Sequence, residues 1–398
     1  MTDQSDQRVQ SGQRVQPDQE NGAEAVHGTV EAGWESVRVE FEAVVAAEPH
    51  NPEAQLAVYR DGRQVVDLWT GAHTGADTLG PVYSITKGAA HLVVALLVQD
   101  GVLELDREVS SYWPEFTGGG KERLTLRGLI AHTSGLVNTP EGFSIDELAD
   151  EPLVAARLAA GDPYWEPGTA YGYHAFVIAA LTGEVVRRAT GRSIRELFEE
   201  RVRAPYGLDF HIGLSEELAR ERWAPVLPAL PTEEQLAAFA QNPLPQDSLL
   251  PVAFNMHRET PMDLVEYGNS PRIRALGPAS AGGSATARGV ARMYAAAISG
   301  VAGLPPLLKP ETAAEFARVH LGGTDRVTTE ENHFGLGFET QPLVGPQAFG
   351  HCGAAGGNAW ADPATGLAYA YTRRRFFFPG GSATENTRLT AAAVAVVR

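Results

Sequence analysis

The sequence predicts an α+β fold: an antiparallel sheet built from both ends of the chain and flanked by helices, with a mostly helical domain inserted between its two parts. Three observations carry this. A helix and a hairpin open the folded part, residues from about 105 to 320 read as helices and loops, and strand patterns return only near the C-terminus. A hairpin alone is marginal in water, so the two β portions must meet if either is to cover a face. The 398 residues, 43% of them apolar and 20% charged, supply enough side-chain volume for such a core and exclude a small disulfide-stapled module.

The elements follow in order. Residues 1–26 are rich in Gln and Asp and lack aromatics, so they cannot bury enough surface to offset ordering entropy and read as a disordered tail. From Gly33 to Glu48, Trp34, Val37, Phe41 and Val44 recur at three- and four-residue spacing, one apolar helical stripe. Ala54–Tyr59 and Gln64–Trp69 are β-rich runs on either side of Asp61-Gly62, the dipeptide of a tight hairpin. Ile85 to Asp100 is apolar nearly all round and stops at Gly101, as a helix buried in a core would. Further helices are read at 125–131, 176–190, 194–200 and 285–298. Residues 223–263 are proline-rich with one amphipathic stretch, Glu233–Gln241, and read as a lid or specificity insert. Strands at 337–341, 347–350, 358–362 and 367–372 and a helix at 385–397 close the chain. The expected division is a sheet domain of residues 27–105 and 325–398 and a helical domain of residues 106–324.

Composition narrows the function. A formal charge of −17 repels phosphate backbones and anionic lipid, which argues against nucleic-acid and membrane partners. The single cysteine, Cys352, cannot form an intramolecular disulfide, and the histidines show no H-E-x-x-H or C-x-x-C spacing, so neither a metal nor a cofactor is expected. No export signal and no apolar run of membrane-spanning length is present, so the expected location is the cytoplasm. Oligomeric state is not legible.

Three clusters could carry chemistry. Ser84-Ile85-Thr86-Lys87 opens the buried helix, and residues i and i+3 share a helical face, so hydroxyl and amine come within reach. The helix N-terminus favours an oxyanion at the serine, and a buried lysine gives up its proton more easily and can activate it. A surface serine beside a snorkelling lysine is the competing reading. Glu166-Pro-Gly-Thr-Ala-Tyr171-Gly-Tyr173-His174 places two tyrosines at a helix entry, where a phenolate beside a lysine ammonium can accept a proton; taken alone they are packing residues. Phe349-Gly350-His351-Cys352-Gly353-Ala354-Ala355-Gly356-Gly357 runs from a strand into a glycine-rich turn whose N–H groups could face an oxyanion. His91 and His132 read as structural histidines, Ser134 and Ser284 lack a nucleophile elbow, and Arg373-Arg-Arg reads as a solvated strand end.

Taken together, VYSITKGAA (82–90), DGVLELD (100–106), LTLRGLIAHTSGL (124–136), EPGTAYGYHAF (166–176), GPASAGGSATARGVARMY (277–294), FGLGF (334–338) and FGHCGAAGGNAWADPATGLA (349–368) resemble the serine β-lactamase and penicillin-binding-protein superfamily. The likeness is to its class C β-lactamase-like branch, and within it to the family VIII carboxylesterases. It implies a β-lactamase/transpeptidase-like fold in which Ser84 is acylated, Lys87 sets its protonation and Tyr173 shuttles the proton. The N–H groups of Ser84 and Ala354 would form the oxyanion hole, with Tyr171, His351, Cys352 and Gly353 lining the substrate site and Tyr171 competing for the shuttle role. Two departures favour esters over lactams: Ala175 replaces the asparagine of Tyr-x-Asn, and His351-Cys352-Gly353 replaces Lys-Thr-Gly. Many of the esterases carry a tryptophan where His351 stands. The implied activity is a small-molecule ester hydrolase working through an acyl-enzyme. The alternatives are an acyltransferase of secondary metabolism, a β-lactamase or peptidase acting on amides, and an inactive binding protein.

Overall fold

The computed structural model describes residues 25–243, 245, 247–331 and 333–398, so the predicted tail, apart from its last two residues, lies outside the described residues, as do Leu244 and Gln246 of the insert. The chain begins with β1 (His27–Val30) and α1 (Glu35–Ala47), which buries Val37, Phe41, Val44 and Val45 along its stripe. β2 (Ala54–Arg60) and β3 (Arg63–Trp69) pair with Arg60 opposite Arg63. Asp61 and Gly62 take φ of 49° and 78°, the left-handed pair that a two-residue hairpin of native twist requires. β4 (Gly80–Pro81) leads into a 3₁₀ turn, Tyr83–Ile85, and then α2 (Thr86–Gln99), buried throughout its first twelve residues.

The middle of the chain supplies α3 (Leu126–Ile130), α4 (Glu151–Ala160), α5 (Ile178–Thr190), β5 (Phe210–Ile212), α6 (Glu233–Gln241), β6 (Gly283–Ala285) and α7 (Ala287–Ile298), among shorter turns. The C-terminal part adds β7 (Glu339–Thr340), β8 (Phe349–Cys352), β9 (Asn358–Asp362), β10 (Leu367–Arg373) and α8 (Glu385–Ala395). Seven strands form one antiparallel sheet in the order β1-β3-β2-β10-β9-β8-β7. The N-terminal hairpin therefore meets the C-terminal strands along β2 and β10, paired from Ala54–Arg373 to Arg60–Leu367. β4, β6 and β5 make a second, three-stranded sheet.

Side-chain size separates the two faces of the large sheet. Leu56, Val58, Trp360, Leu367, Tyr369 and Tyr371 point to one face and pack with α1 and α8 around Phe41 and Leu389. The alternate residues, Ala57, Ala359, Ala361, Ala368 and Ala370, belong to the other core with α2 and α7. The period of two thus makes a bulky face and an alanine face, and the alanines let α7 and the serine-bearing helix lie close to the sheet.

The structure corrects several sequence readings. β1 and the three-stranded sheet were not anticipated, because strands of two to four residues are too short for alternation to show. The expected strand at 347–350 begins at Phe349 and continues through Cys352, and that at 337–341 shrinks to two residues. Arg373 and Arg374 are not solvated: they are 6% and 8% exposed. Arg373 donates to Glu385 at 2.6 Å and Glu48 at 3.1 Å, binding the end of β10 to the α1 and α8 side, and Arg374 pairs with Glu53. Among the described residues no helix is long and apolar enough to cross a membrane.

The alanine face makes a test. Ala370→Leu forces extra methylenes between β10 and α7 and should destabilise the fold by about 1–3 kcal/mol, read as a lower urea midpoint with unchanged slope. An unaffected midpoint would show that the close approach carries no packing constraint.

Candidate active site

Ser84 is the second residue of the 3₁₀ turn that opens α2, and it is 9% exposed. Tyr83 before it has φ of 48°, a left-handed conformation that costs a non-glycine residue on the order of 1 kcal/mol. The conformation is held by the Tyr83 hydroxyl donating to the Leu264 carbonyl at 2.8 Å and by ring contacts with Tyr267 and Phe376.

Lys87 is fully buried one turn later. Its Nζ lies 2.5 Å from the Ala175 carbonyl, 2.9 Å from the Ser280 carbonyl and 3.1 Å from Ser84 Oγ. Burial lowers its pKa to about 7, against the raising influence of Glu339 and Cys352. A neutral amine has two hydrogens and one lone pair. The two carbonyls accept only, so they take both hydrogens, and the lone pair is left for the serine O–H.

Tyr173 completes the centre, its hydroxyl donating to Ser84 Oγ at 2.7 Å. Burial holds the phenol well above its usual pKa, with the Glu339 charge adding to the effect. The protonated phenol thus faces Ser84 as a hydrogen-bond donor, with the Lys87 amine on the same oxygen. Its ring stacks on Phe334, with centroids 5.7 Å apart and planes within 5°, and meets Phe254 at 6.2 Å.

The structure separates the two tyrosines. Tyr171 donates its hydroxyl to the Gly323 carbonyl at 2.5 Å, beside His333 Nδ1 at 3.5 Å. It braces the 323 loop, and the hydroxyl that hydrogen-bonds to Ser84 is that of Tyr173, the register preferred from the sequence.

The glycine-rich turn abuts the serine. A Cβ on Gly353 would stand 2.7 Å from the Val82 carbonyl, so glycine is needed there, and one on Gly357 would stand 3.1 Å from Ile85 Cδ1, a tight contact. The turn closes by Gly353 N–H to the Gly357 carbonyl and Gly356 N–H to the Gly353 carbonyl, both 2.9 Å.

His351, on β8, is buried, with its ring 5.8 Å from that of Tyr173. Nδ1 lies 2.8 Å from the Cys352 carbonyl and 3.2 Å from Glu339 Oε1, and burial holds the imidazole well below its usual pKa. Cys352 turns its thiol to Glu339 Oε1 at 3.3 Å and its N–H to Oε2 at 2.8 Å. Glu339 is the residue that the sequence reading missed. The FGLGF block ends one position before it, and a single acid on a two-residue strand has no periodicity to mark it. Phe334 lies in that same block, and Phe254 in the insert, without either being singled out.

The remaining candidates are structural. His91 Nδ1 bonds the Lys87 carbonyl at 2.9 Å, His132 Nδ1 accepts the His174 N–H at 3.1 Å, and Ser134 meets His174 Nε2 at 2.6 Å in the buried floor beneath Tyr173.

A family model described as Beta-lactamase matches residues 32–394. The curated protein Esterase/beta-lactamase LipL of Mycobacterium tuberculosis is 32% identical over 343 residues, covering 81% of this chain and 77% of its own. The solved structure of EstA from Arthrobacter nitroguajacolicus Rue61a superposes with a TM-score of 0.84 at 37% identity, covering 92% of this chain and 97% of its own. A crystal structure of a family VIII carboxylesterase superposes with a TM-score of 0.80 at 30% identity, covering 94% of this chain and 100% of its own.

The electrostatics of Lys87 make a prediction. Below its pKa of about 7 the amine holds a third hydrogen and has no lone pair for Ser84. The rate of Ser84 labelling by a fluorophosphonate should fall about tenfold per pH unit on the acid side and level off on the alkaline side. A rate that peaks in acid would contradict the assignment of Lys87 as base.

Proposed function

Because the chain belongs to the beta-lactamase family, we propose that it is a serine hydrolase that cleaves carboxylic esters of small molecules through an acyl-enzyme on Ser84. The observation that carries this is the meeting of the Lys87 amine and the Tyr173 phenol on one serine oxygen, at 3.1 Å and 2.7 Å. Nearby groups suit a neutral acyl substrate. Ala175 offers no side-chain amide, its carbonyl being engaged by Lys87, and neutral His351 offers no cation for a lactam carboxylate.

In acylation Ser84 Oγ bonds to the ester carbonyl carbon while its proton passes to Lys87. The N–H of Ser84, in the first turn of a helix where N–H groups lack partners within the helix, and the N–H of Ala354 in the turn after β8 receive the oxyanion. As the carbon–alkoxide bond breaks, the Tyr173 phenol protonates the leaving oxygen, and the Lys87 ammonium restores the phenol. Water then releases the acid by the reverse path. Phe254 and Phe334 pack on Tyr173 and hold its ring in place. No step requires a metal or cofactor. The reading extends to a cytoplasmic enzyme with its one thiol reduced.

The test is hydrolysis of p-nitrophenyl butyrate by variants, with nitrocefin alongside. Ser84→Ala should abolish ester turnover, and Tyr173→Phe should lower kcat/KM by about 10²–10⁴-fold. Tyr171→Phe should cost less than about tenfold, and nitrocefin should be cleaved poorly. Retained activity in Ser84→Ala, or nitrocefin turnover rivalling the ester, would overturn the proposal.

A further inference from the structure

We propose that Glu339, His351 and Cys352 form a site for a divalent transition metal of the zinc class beside the catalytic serine. The three side chains bring one carboxylate oxygen, one imidazole nitrogen and one sulfur within 4.8 Å of one another. Glu339 Oε1 is the common vertex, 3.2 Å from His351 Nδ1 and 3.3 Å from Cys352 Sγ. Around a tetrahedral zinc with ordinary bond lengths, oxygen and nitrogen ligands are separated by about 3.4 Å and oxygen and sulfur by about 3.6 Å. The cluster therefore already holds two edges of such a tetrahedron.

The donor set matches that ion. Imidazole and thiolate suit zinc and its neighbours, whereas magnesium and calcium call for oxygen alone. Glu339 and Cys352 are partly exposed as residues while His351 is buried. Three protein ligands leave a fourth position for water.

Binding balances as follows. Cys352 Sγ–H gives one proton to solvent and becomes a thiolate. Carboxylate and thiolate together neutralise the dication. His351 shifts its hydrogen from Nδ1 to Nε2 and offers the Nδ1 lone pair. Among the described residues Nε2 has no hydrogen-bond partner, and the shift releases the Nδ1 contacts to the Cys352 carbonyl and Glu339 Oε1. Both ligands on β8 immediately precede Gly353 and Ala354, the turn packed against Ser84. Lengthening the two short edges to the zinc values moves these residues by a few tenths of an ångström, and since a shift of about 1 Å at such a position costs on the order of 10²-fold in rate, a loss of about tenfold is expected.

The experiment adds cobalt(II), a spectroscopic stand-in for zinc, to the full-length protein without substrate. One equivalent should produce a thiolate-to-cobalt charge-transfer band in the near ultraviolet, together with the intense visible bands of a tetrahedral site, and zinc should remove both. Cys352 is the only cysteine in the chain, so the wild-type spectrum alone identifies the site. Cys352→Ser should lose the charge-transfer band, and Glu339→Gln should weaken binding at least tenfold. Turnover of p-nitrophenyl butyrate should fall about tenfold on zinc loading and return with EDTA. No charge-transfer band in the wild-type protein overturns the site and leaves the cluster as a hydrogen-bonded brace. A band with unchanged turnover overturns its coupling to Ser84. The band is read without ester, so failure of the esterase reading leaves that arm intact.

Discussion

The burial of one amine between two backbone carbonyls organises the catalytic centre. In water Lys87 would be a cation with three hydrogens, useless as a base. Inside this protein the loss of hydration brings its pKa to about 7, a preference for the neutral form on the order of 5 kcal/mol relative to the exposed side chain. Ala175 and Ser280 then decide where the remaining lone pair points, because each takes a hydrogen. Those carbonyls come from the segment before α5 and from the loop before β6. Lysine basicity is thus set by the folding of regions far apart in sequence.

The surrounding fold can be understood from that requirement. α2 must be apolar on every side to bury Lys87, and the sheet must offer it a face without bulk, which the alanines of β2, β9 and β10 provide. Ser280 belongs to the loop beneath, where its Oγ accepts the Ala179 N–H at 2.9 Å and Ala279 N–H donates to Glu151 at 2.9 Å. Glu151 is half-buried as a residue, with desolvation of its carboxyl raising its pKa to about 7, and the loop that aims the lysine is fixed by hydrogen bonds from α4 and α5. On the other side, Gly353 and Gly357 remove the side chains that would hold the β8 turn away from Ser84.

Much of this is legible in the chain and some is not, for physical reasons. Ser84, Lys87 and the glycine-rich turn are local signals: a helix start, an i to i+3 spacing and a run without Cβ atoms. The choice between Tyr171 and Tyr173 is not local, because it depends on which ring faces Ser84 after a turn, and Gly323 rather than the sequence shows where Tyr171 goes. Glu339 and Phe254 reach the centre across strand pairing and through the insert, with no spacing that relates them to Ser84. The arginines of β10 mislead for the same reason. A basic triplet reads as solvated until Glu48, Glu53 and Glu385 are folded against it.

The central claim is that turnover passes through a covalent ester on Ser84 formed with the help of a neutral buried lysine. It is tested most directly by quenching the wild-type enzyme in acid during turnover of p-nitrophenyl butyrate and mapping the adduct by peptide mass spectrometry. The account predicts a butyryl group on the peptide containing Ser84. Its occupancy should fall when Lys87 is replaced by methionine, which keeps the apolar stem without the amine. A butyryl group on another residue, or undiminished acylation of Ser84 in Lys87→Met, would contradict it.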